Sequence, residues 1–263
     1  MKARGYEASD RGALRLTRRY KMAWFFTEDE VKSDSHIIEG ENARHIAKSL
    51  RMKTGEELTL VTPSGEQLEC TISSVTDSNV AVNVTDRFPC ENEPNVRITL
   101  YQALPKGDKM EYIIQKCVEL GITRIVPVIS NRCVSRPDEK SLIKKQKRWQ
   151  KIAREAAQQS RRGIIPAVDP AVSFKKAVEL SKENEQNIIF YELGGDSVNK
   201  LISQPPQTLG MFIGSEGGFE ESEVELVLSS GGSKATLGKR ILRAETAPLA
   251  ALSIIMYATG NFE

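Results

Sequence analysis

Residues 209–251 decide the fold of this chain, and they read LGMFIGSEGGFEESEVELVLSSGGSKATLGKRILRAETAPLAA. The apolar run Met211–Ile213 predicts a buried strand, and the acidic segment Glu220–Ser229 predicts the helix after it. Glycines in Gly214–Phe219 let the connecting backbone adopt positive φ and approach a ligand closely. The spacing is neither that of a P-loop nor GxGxxG. The pattern therefore predicts either a tight strand-to-helix turn or a ligand-binding turn of an α/β sheet.

The region upstream repeats strand and helix patterns. An apolar strand at 96–104, an amphipathic helix at 109–120 and a strand at 122–129 form a βαβ pattern, which predicts a parallel sheet. Pattern alone thus predicts an open α/β sheet, with Thr246 expected to cap the apolar final helix. Three loops are expected at strand ends: Glu192–Asp196, Gly214–Phe219 and Leu237–Thr246.

The N-terminal third has a different pattern. Residues 1–22 are Arg-rich and lack the apolar segment of a secretory signal, so we expect a disordered extension there, with a basic RNA-binding arm as the alternative. Short alternating segments separated by turn residues predict a small β-barrel domain over residues 23–90. Prolines in Phe88–Asn95 indicate a linker, and the α/β domain is expected to occupy residues 95–263.

The charge is unevenly distributed, although the net charge is only +2. A helix predicted at 140–160 should bury Trp149, Ile152 and Ala156. Nine basic residues and one acidic residue, Glu155, lie between positions 140 and 162, a pattern that suits phosphate. A solvated helix face is the alternative. The nine are Lys140, Lys144, Lys145, Lys147, Arg148, Lys151, Arg154, Arg161 and Arg162.

The sequence supports neither a metal-binding protein nor a membrane protein. The four cysteines form no CxxC pair, and neither histidine has metal-ligand spacing with them, so we predict free thiols and no metal site. No apolar run has the length of a membrane span, so no membrane partner is expected.

Four separated blocks resemble the RsmE family of S-adenosylmethionine-dependent, SPOUT-class methyltransferases: residues 104–128, residues 148–168, IGSEGGF at 213–219 and LGKRILRAETA at 237–247. The resemblance covers residues 23 to 263, and it departs at Ser215, where the family usually has proline. It implies a PUA-like, RNA-binding barrel followed by a SPOUT α/β domain with a C-terminal trefoil knot. It also implies S-adenosylmethionine as cofactor, a homodimer, a cytoplasmic location, and methylation of uridine N3 in small-subunit (16S) ribosomal RNA within the assembled 30S subunit.

The reaction that the resemblance implies assigns roles to residues of the three loops. Glycine-bearing loops can hold the cofactor through backbone groups, and Leu237, Ile241 and Leu242 are equally compatible with ordinary core. The residues assigned to cofactor binding are Leu193, Gly194, Gly214, Glu216, Gly217, Gly218, Leu237, Gly238, Ile241 and Leu242.

Methylation at N3 requires loss of a proton, and a fixed cation would stabilise the developing anion. Arg243 is the candidate cation and Glu245 the candidate base. The alternatives are a phosphate clamp or an ion pair with Glu245 for Arg243, and a helix N-terminal acid for Glu245. The predicted RNA contacts are Lys106, Lys109, Arg132, Lys144, Lys147, Arg148, Lys151 and Arg154.

Two rival functions stay open at this point. One is a SPOUT methyltransferase that acts on a ribose 2′-oxygen or on transfer RNA, and the acceptor atom distinguishes it. The other is a non-catalytic RNA-binding protein of ribosome assembly, which would show no turnover.

Overall fold

A computed structural model describes residues 22–262. The extension predicted at the N-terminus therefore lies outside the described residues except for Met22. The chain divides into two compact units, one ending at Glu91 and the other beginning at Asn92.

The first unit is a five-stranded sheet with the order β1-β3-β4-β5-β2. Strand β1 pairs in parallel with β3, and the other pairings are antiparallel. Apolar side chains of the sheet, including Phe25, Leu58 and Leu60, are buried together with Ile46 of the helical segment His45–Leu50. The strands are β1 (Ala23–Phe26), β2 (Ser35–Ile38), β3 (Glu57–Val61), β4 (Glu66–Val75) and β5 (Val80–Pro89).

Two details of this unit differ from the sequence prediction. Strand β2 was missed, because Ser35–Ile38 is short and only its last residue is buried. Strand β5 continues through Phe88 and Pro89, which we had assigned to the linker; Pro89 is the last residue of the strand, where a missing N–H is tolerated. The apolar spacing of Ala43, Ile46, Ala47 and Leu50 predicts a helix at 41–50, and the structure has α1 (Gly40–Arg44) there, which continues as a π-helical segment at His45–Leu50.

The second unit is a parallel sheet with the order β12-β10-β11-β6-β7-β8, and β9 also pairs with β7. The strand pairings of this sheet are parallel, as the βαβ pattern predicts. Its strands are β6 (Arg97–Ala103), β7 (Arg124–Ile129), β8 (Ala167–Val168), β9 (Val172–Ser173), β10 (Gln186–Phe190), β11 (Thr208–Ile213) and β12 (Ser233–Ala235). The helices are α2 (Lys109–Glu119), α3 (Glu139–Gln159), α4 (Phe174–Ser181), α5 (Val198–Leu201), α6 (Glu221–Ser229) and α7 (Thr246–Ala258).

Helix ends follow local chemistry. Helix α3 begins after Asp138, whose carboxylate accepts from the N–H of Ser141 at 2.7 Å. Its buried face consists of Trp149, Ala153, Ala156 and Ala157, whereas Ile152 is only half-buried. The predicted cap of α7 is wrong: Thr246 is the first helical residue and follows Glu245.

A row of aromatic rings in contact with one another supports the end of β11. The ring of Phe212 stacks on Tyr101 with centroids 4.5 Å apart. Phe174 lies 5.9 Å from Phe212 and 5.4 Å from Phe219, which is 1% exposed. Phe219 thus anchors the turn after β11 in the core, and this burial fixes the loop that carries the glycines.

None of the helices within residues 22–262 has the length and apolar content that crossing a bilayer requires.

Candidate functional site

A cavity of about 190 Å³ lies where β10, β11 and β12 end. This is the edge at which open parallel sheets bind ligands. Eight of the ten residues predicted to bind the cofactor line it: Gly214, Glu216, Gly217, Gly218, Leu237, Gly238, Ile241 and Leu242. Apolar walls, bare backbone and a few carboxylates suit a small ligand that carries both a ring system and polar groups.

The turn after β11 is closed by its own backbone. The N–H of Gly218 donates to the carbonyl of Ser215 at 3.0 Å, and Gly218 has a φ of +67°. A Cβ at Gly214 would lie 2.9 Å from the Gly218 Cα, and one at Gly218 would lie 2.5 Å from the Glu192 carboxylate. Glycine is therefore required at both positions. The turn is held in this way with Ser215 in place of the proline expected from the resemblance.

The loop after β10 contributes different residues from those we predicted. Tyr191 and Glu192 line the cavity, whereas Leu193 is 77% exposed and neither it nor Gly194 is among the lining residues. The end of the loop is held by β12, because the N–H of Asp196 donates to the Lys234 carbonyl at 3.0 Å. Gly194 thus lies at an open bend and Gly195 packs against the backbone of β12, whereas Tyr191 and Glu192, before the bend, face the cavity.

Sequence reasoning missed several other lining residues. They lie next to positions that it did identify, in the same loops or at the strand end, so proximity to the glycine segments was the available signal. They are Phe190, Ile213, Ser215, Thr236, Arg240, Ala244 and Ala247.

Three charged side chains meet beside the cavity. The Lys109 ammonium lies 2.9 Å from Oε1 of Glu216 and 3.2 Å from Oε2 of Glu245. The N–H of Lys106 also donates to the Glu216 carboxylate, at 3.2 and 3.3 Å to its two oxygens. The carboxylate contacts of Lys109, with Glu216 first, raise the pKa of its ammonium.

Both carboxylates are held in the ionised form. Burial opposes ionisation of Glu216, but Lys109 and the N–H groups of Glu216 and Lys106 together lower its pKa. The backbone N–H of Glu245 is the main cause that lowers the pKa of that carboxyl, and Lys109 and Arg243 add to it. A carboxylate with a lowered pKa is a weak proton acceptor. Glu245 as the base stays a prediction, and these contacts favour the alternative, a structural acid that precedes α7.

Arg243 is exposed and lies between two cavity-lining residues, Leu242 and Ala244. Its carbonyl accepts from the N–H groups of Thr246 and Ala247 at 2.9 Å each, so its backbone is fixed at the start of α7. A fixed backbone and an exposed guanidinium beside the cavity suit an electrostatic role, and that role stays a prediction.

The basic helix exposes only part of its predicted charge. Lys144, Lys147, Arg148 and Lys151 are exposed and Arg154 is half-buried. Arg148 donates to Glu111 at 2.7 Å, so part of its charge is neutralised.

Arg162, counted with the same basic run, is only 3% exposed. It donates to Glu93 at 2.9 and 2.6 Å and to the carbonyls of Val118 and Ile122. It therefore belongs to the core and adds nothing to a phosphate-binding surface.

Two further predicted RNA contacts lie near the first glycine turn. The Arg132 guanidinium donates to the Gly217 carbonyl at 3.1 Å. The side chain of Lys106 is exposed, while its N–H contacts Glu216. A Cβ at Gly217 would lie 3.0 Å from the Arg132 Cβ, so Gly217 faces Arg132 closely. The structure places Arg132 in support of the turn, in addition to any contact with RNA.

No group of acidic, cysteine or histidine side chains suited to a metal ion occurs within the part of the chain that the structure describes.

Comparison with known proteins agrees with this arrangement. A family model for an RNA methyltransferase domain matches residues 91–256, and one for an RNA methyltransferase PUA domain matches residues 38–85. The chain is 36% identical to ribosomal RNA small subunit methyltransferase E of Bacillus subtilis over 84% of this chain and 90% of that protein. It is 34% identical to the protein of the same name from Mesomycoplasma hyopneumoniae over 85% of this chain and 95% of that protein.

A solved structure shows the same architecture. Ribosomal RNA small subunit methyltransferase E from Neisseria gonorrhoeae, bound to S-adenosyl methionine, superposes with a TM-score of 0.83 at 31% identity. The match covers 92% of this chain and 100% of that one. The predicted combination of a PUA-like domain with a SPOUT α/β domain is confirmed, while the trefoil knot stays a prediction. The chain therefore belongs to the RsmE family, the family of ribosomal RNA small subunit methyltransferase E.

Proposed function

We propose that this protein transfers the methyl group of S-adenosylmethionine to N3 of a uridine in small-subunit (16S) ribosomal RNA. The observation that carries the proposal is the cavity built from the segments after β10, β11 and β12. The relatives named above are small-subunit ribosomal RNA methyltransferases, and one of them holds S-adenosyl methionine.

The residues of the cavity fit this cofactor. Glycine at 214 and 218 lets the turn fold closely on itself and against Glu192, so that backbone without side chains borders the cavity. Leu237, Ile241 and Leu242 supply apolar walls, and the carboxylates of Glu192 and Glu216 can accept from ribose hydroxyls or attract a cationic group. The cofactor, when bound, supplies an electrophilic methyl group, so the protein needs only to orient the acceptor and to manage its charge.

The acceptor nitrogen passes its proton to a base, for which Glu245 stays the candidate, and negative charge then spreads to the neighbouring carbonyl oxygens of the uracil ring. We assign the stabilisation of this charge to Arg243, which is exposed beside the cavity. We assign RNA docking to the exposed side of α3 and to the PUA-like domain, for which we retain the proposed bounds 23–90. The methyltransferase domain is proposed to occupy residues 95–263.

The remaining parts of the proposal concern assembly. We propose a homodimer, supported by large apolar side chains exposed in the second unit, of which Val134, Leu193, Ile241 and Tyr257 are the most exposed. Sedimentation of wild type and Tyr257→Asp tests it, and a monomeric wild type would refute it. We also propose that the substrate is the RNA within the assembled 30S subunit, and that the protein works in the cytoplasm, where that subunit is assembled.

The test uses methyl-labelled S-adenosylmethionine with small subunits from cells that lack this protein. After the reaction, the RNA is digested to nucleosides and the labelled nucleoside is identified by mass spectrometry. We expect label in N3-methyluridine, with more on assembled subunits than on naked RNA. Label on a ribose would refute N3 as the acceptor and support the rival reaction at a 2′-oxygen. Label in transfer RNA, supplied in a parallel reaction, would support the other rival substrate. No label from a protein that binds the cofactor would support the non-catalytic assembly protein instead.

A further inference from the structure

We propose that Lys109 is a positioning residue of the cofactor cavity, which joins the two glycine-bearing loops by bridging Glu216 and Glu245. This inference rests on the proposed cofactor site, and it replaces the prediction that Lys109 contacts RNA.

The bridge joins three separate parts of the chain. Lys109 is the first residue of α2, Glu216 lies in the turn after β11, and Glu245 immediately precedes α7. The ammonium reaches the first carboxylate at 2.9 Å and the second at 3.2 Å. Glu216 lines the cavity, and Glu245 follows Ala244, which also lines it. One cation therefore fixes both sides of the cavity.

Each carboxylate depends on this cation. Oε2 of Glu245 is buried and has no aligned hydrogen-bond donor among the described residues, so the ammonium 3.2 Å away is the nearby compensating charge. Glu216 is also held by the N–H of Lys106, which belongs to the turn just before α2. Removal of the ammonium would leave two carboxylates facing each other, and their repulsion would separate the loops.

The local charge argues against a phosphate contact. The Lys109 ammonium is already shared between two ionised carboxylates, so little of its positive charge is left to attract a phosphate group. The side chain of Lys109 is 34% exposed and directs its contacts to the two carboxylates. A lysine that binds a phosphate of RNA is expected to expose its ammonium to solvent, and Lys106 is exposed in this way.

The experiment compares Lys109→Met with two matched variants. Lys109→Arg keeps a cation that can reach both carboxylates. Lys106→Gln removes one positive charge from the same turn but keeps the N–H that holds Glu216. Cofactor affinity is measured by calorimetry with S-adenosylmethionine. RNA affinity is measured across a salt series with a fragment of small-subunit RNA.

For Lys109→Met, we expect cofactor affinity to fall roughly tenfold, because the ligand must then order the loops. Lys109→Arg should restore affinity to within about threefold of wild type. The salt dependence of RNA binding should be unchanged in Lys109→Met and should lose up to about one unit of slope in Lys106→Gln. Unchanged cofactor affinity together with a reduced salt slope in Lys109→Met would overturn the inference and restore the RNA role.

A second measurement separates this inference from the proposed function. Hydrogen exchange of residues 214–218 and 237–245 is followed in the cofactor-free protein. The bridge predicts faster exchange in both segments of Lys109→Met, and equal exchange in the variant and wild type would overturn it. If exchange is faster in Lys109→Met but wild-type protein does not bind S-adenosylmethionine, the result supports the Lys109 bridge and refutes the proposed cofactor. In a Glu216→Gln background, Lys109→Met should have a smaller effect than in wild type, since the two residues act together.

Discussion

Replacement of Glu93 by alanine would remove the partner of a buried cation. The Glu93 carboxylate accepts from Arg162 at 2.9 and 2.6 Å and from the N–H of Gly163 at 2.7 Å. The Arg162 side chain is 3% exposed, so solvent cannot replace the lost partner. Loss of one member of such a pair typically costs 3–5 kcal/mol. Arg162 keeps two carbonyl acceptors and Glu93 is 23% exposed, so we expect the lower end, about 3 kcal/mol.

The assay is urea unfolding followed by the fluorescence of Trp149, which is 3% exposed in the same unit. Trp24→Phe removes the other tryptophan of the chain, so the signal reports one unit. A loss of 3 kcal/mol corresponds to a fall of about 6–12 °C in the melting temperature of a domain of this size. Glu91→Ala, at an exposed position two residues away, is the matched control and should be near neutral. A loss below about 1 kcal/mol with an unchanged denaturant slope would refute the burial of this ion pair.

Three further predictions concern the cofactor, the RNA and pH. Gly218→Ala places a Cβ against Glu192 at a φ of +67° and should weaken S-adenosylmethionine binding at least about tenfold. Gly231→Ala, at a φ of +89° with open space around it, is the control, and equal affinities in the two variants would show that the site is misplaced. Neutralising the exposed Lys144 and Lys147 should reduce the salt slope of RNA binding by about 2, and adding Arg148→Gln should contribute less than one further unit because Glu111 already pairs with it. An unchanged slope would remove α3 from the RNA surface. Burial lowers the pKa of His36, and Asp29 opposes this in part. As pH falls, His36 is therefore protonated in the unfolded chain before it is protonated in the folded protein. The contribution of the neutral imidazole to the free energy of unfolding is fully present above pH 6.5 and is lost as pH falls towards the folded pKa. His36→Gln should flatten this fall in thermal melts between pH 7 and 5, and an identical pH dependence in the variant would contradict the shift.

Local pattern located most of the framework. The strand, turn and helix around Gly214–Phe219 lie where the apolar run, glycines and acidic residues predict them. The parallel sheet follows from the βαβ spacing. The cavity could be placed because strand ends of a parallel sheet meet at one edge. These features depend on residues that are close in sequence.

The structure differs from the sequence interpretation where distant residues decide the outcome, although the predicted roles of Lys109, Leu193 and Gly194 stay predictions. Arg162 reads as part of a basic surface, but Glu93 and two carbonyls bury it. The sequence predicts that Lys109 contacts RNA, but its ammonium forms ion pairs with two carboxylates more than a hundred positions away. Leu193 and Gly194 lie at a bend whose direction depends on backbone hydrogen bonds to β12. The local sequence pattern does not predict these hydrogen bonds.

The order of the cavity-forming segments along the chain has a consequence for synthesis. The lining residues begin at Phe190 and end at Ala247, so the pocket cannot close until the last strand and the start of α7 have left the ribosome. The N-terminal unit can fold earlier, since domains fold as units during translation. Ligand binding stabilises only the state that binds it. Cellular S-adenosylmethionine would thus begin to protect a new molecule only after Ala247 has left the ribosome, and a chain interrupted earlier would gain no such protection.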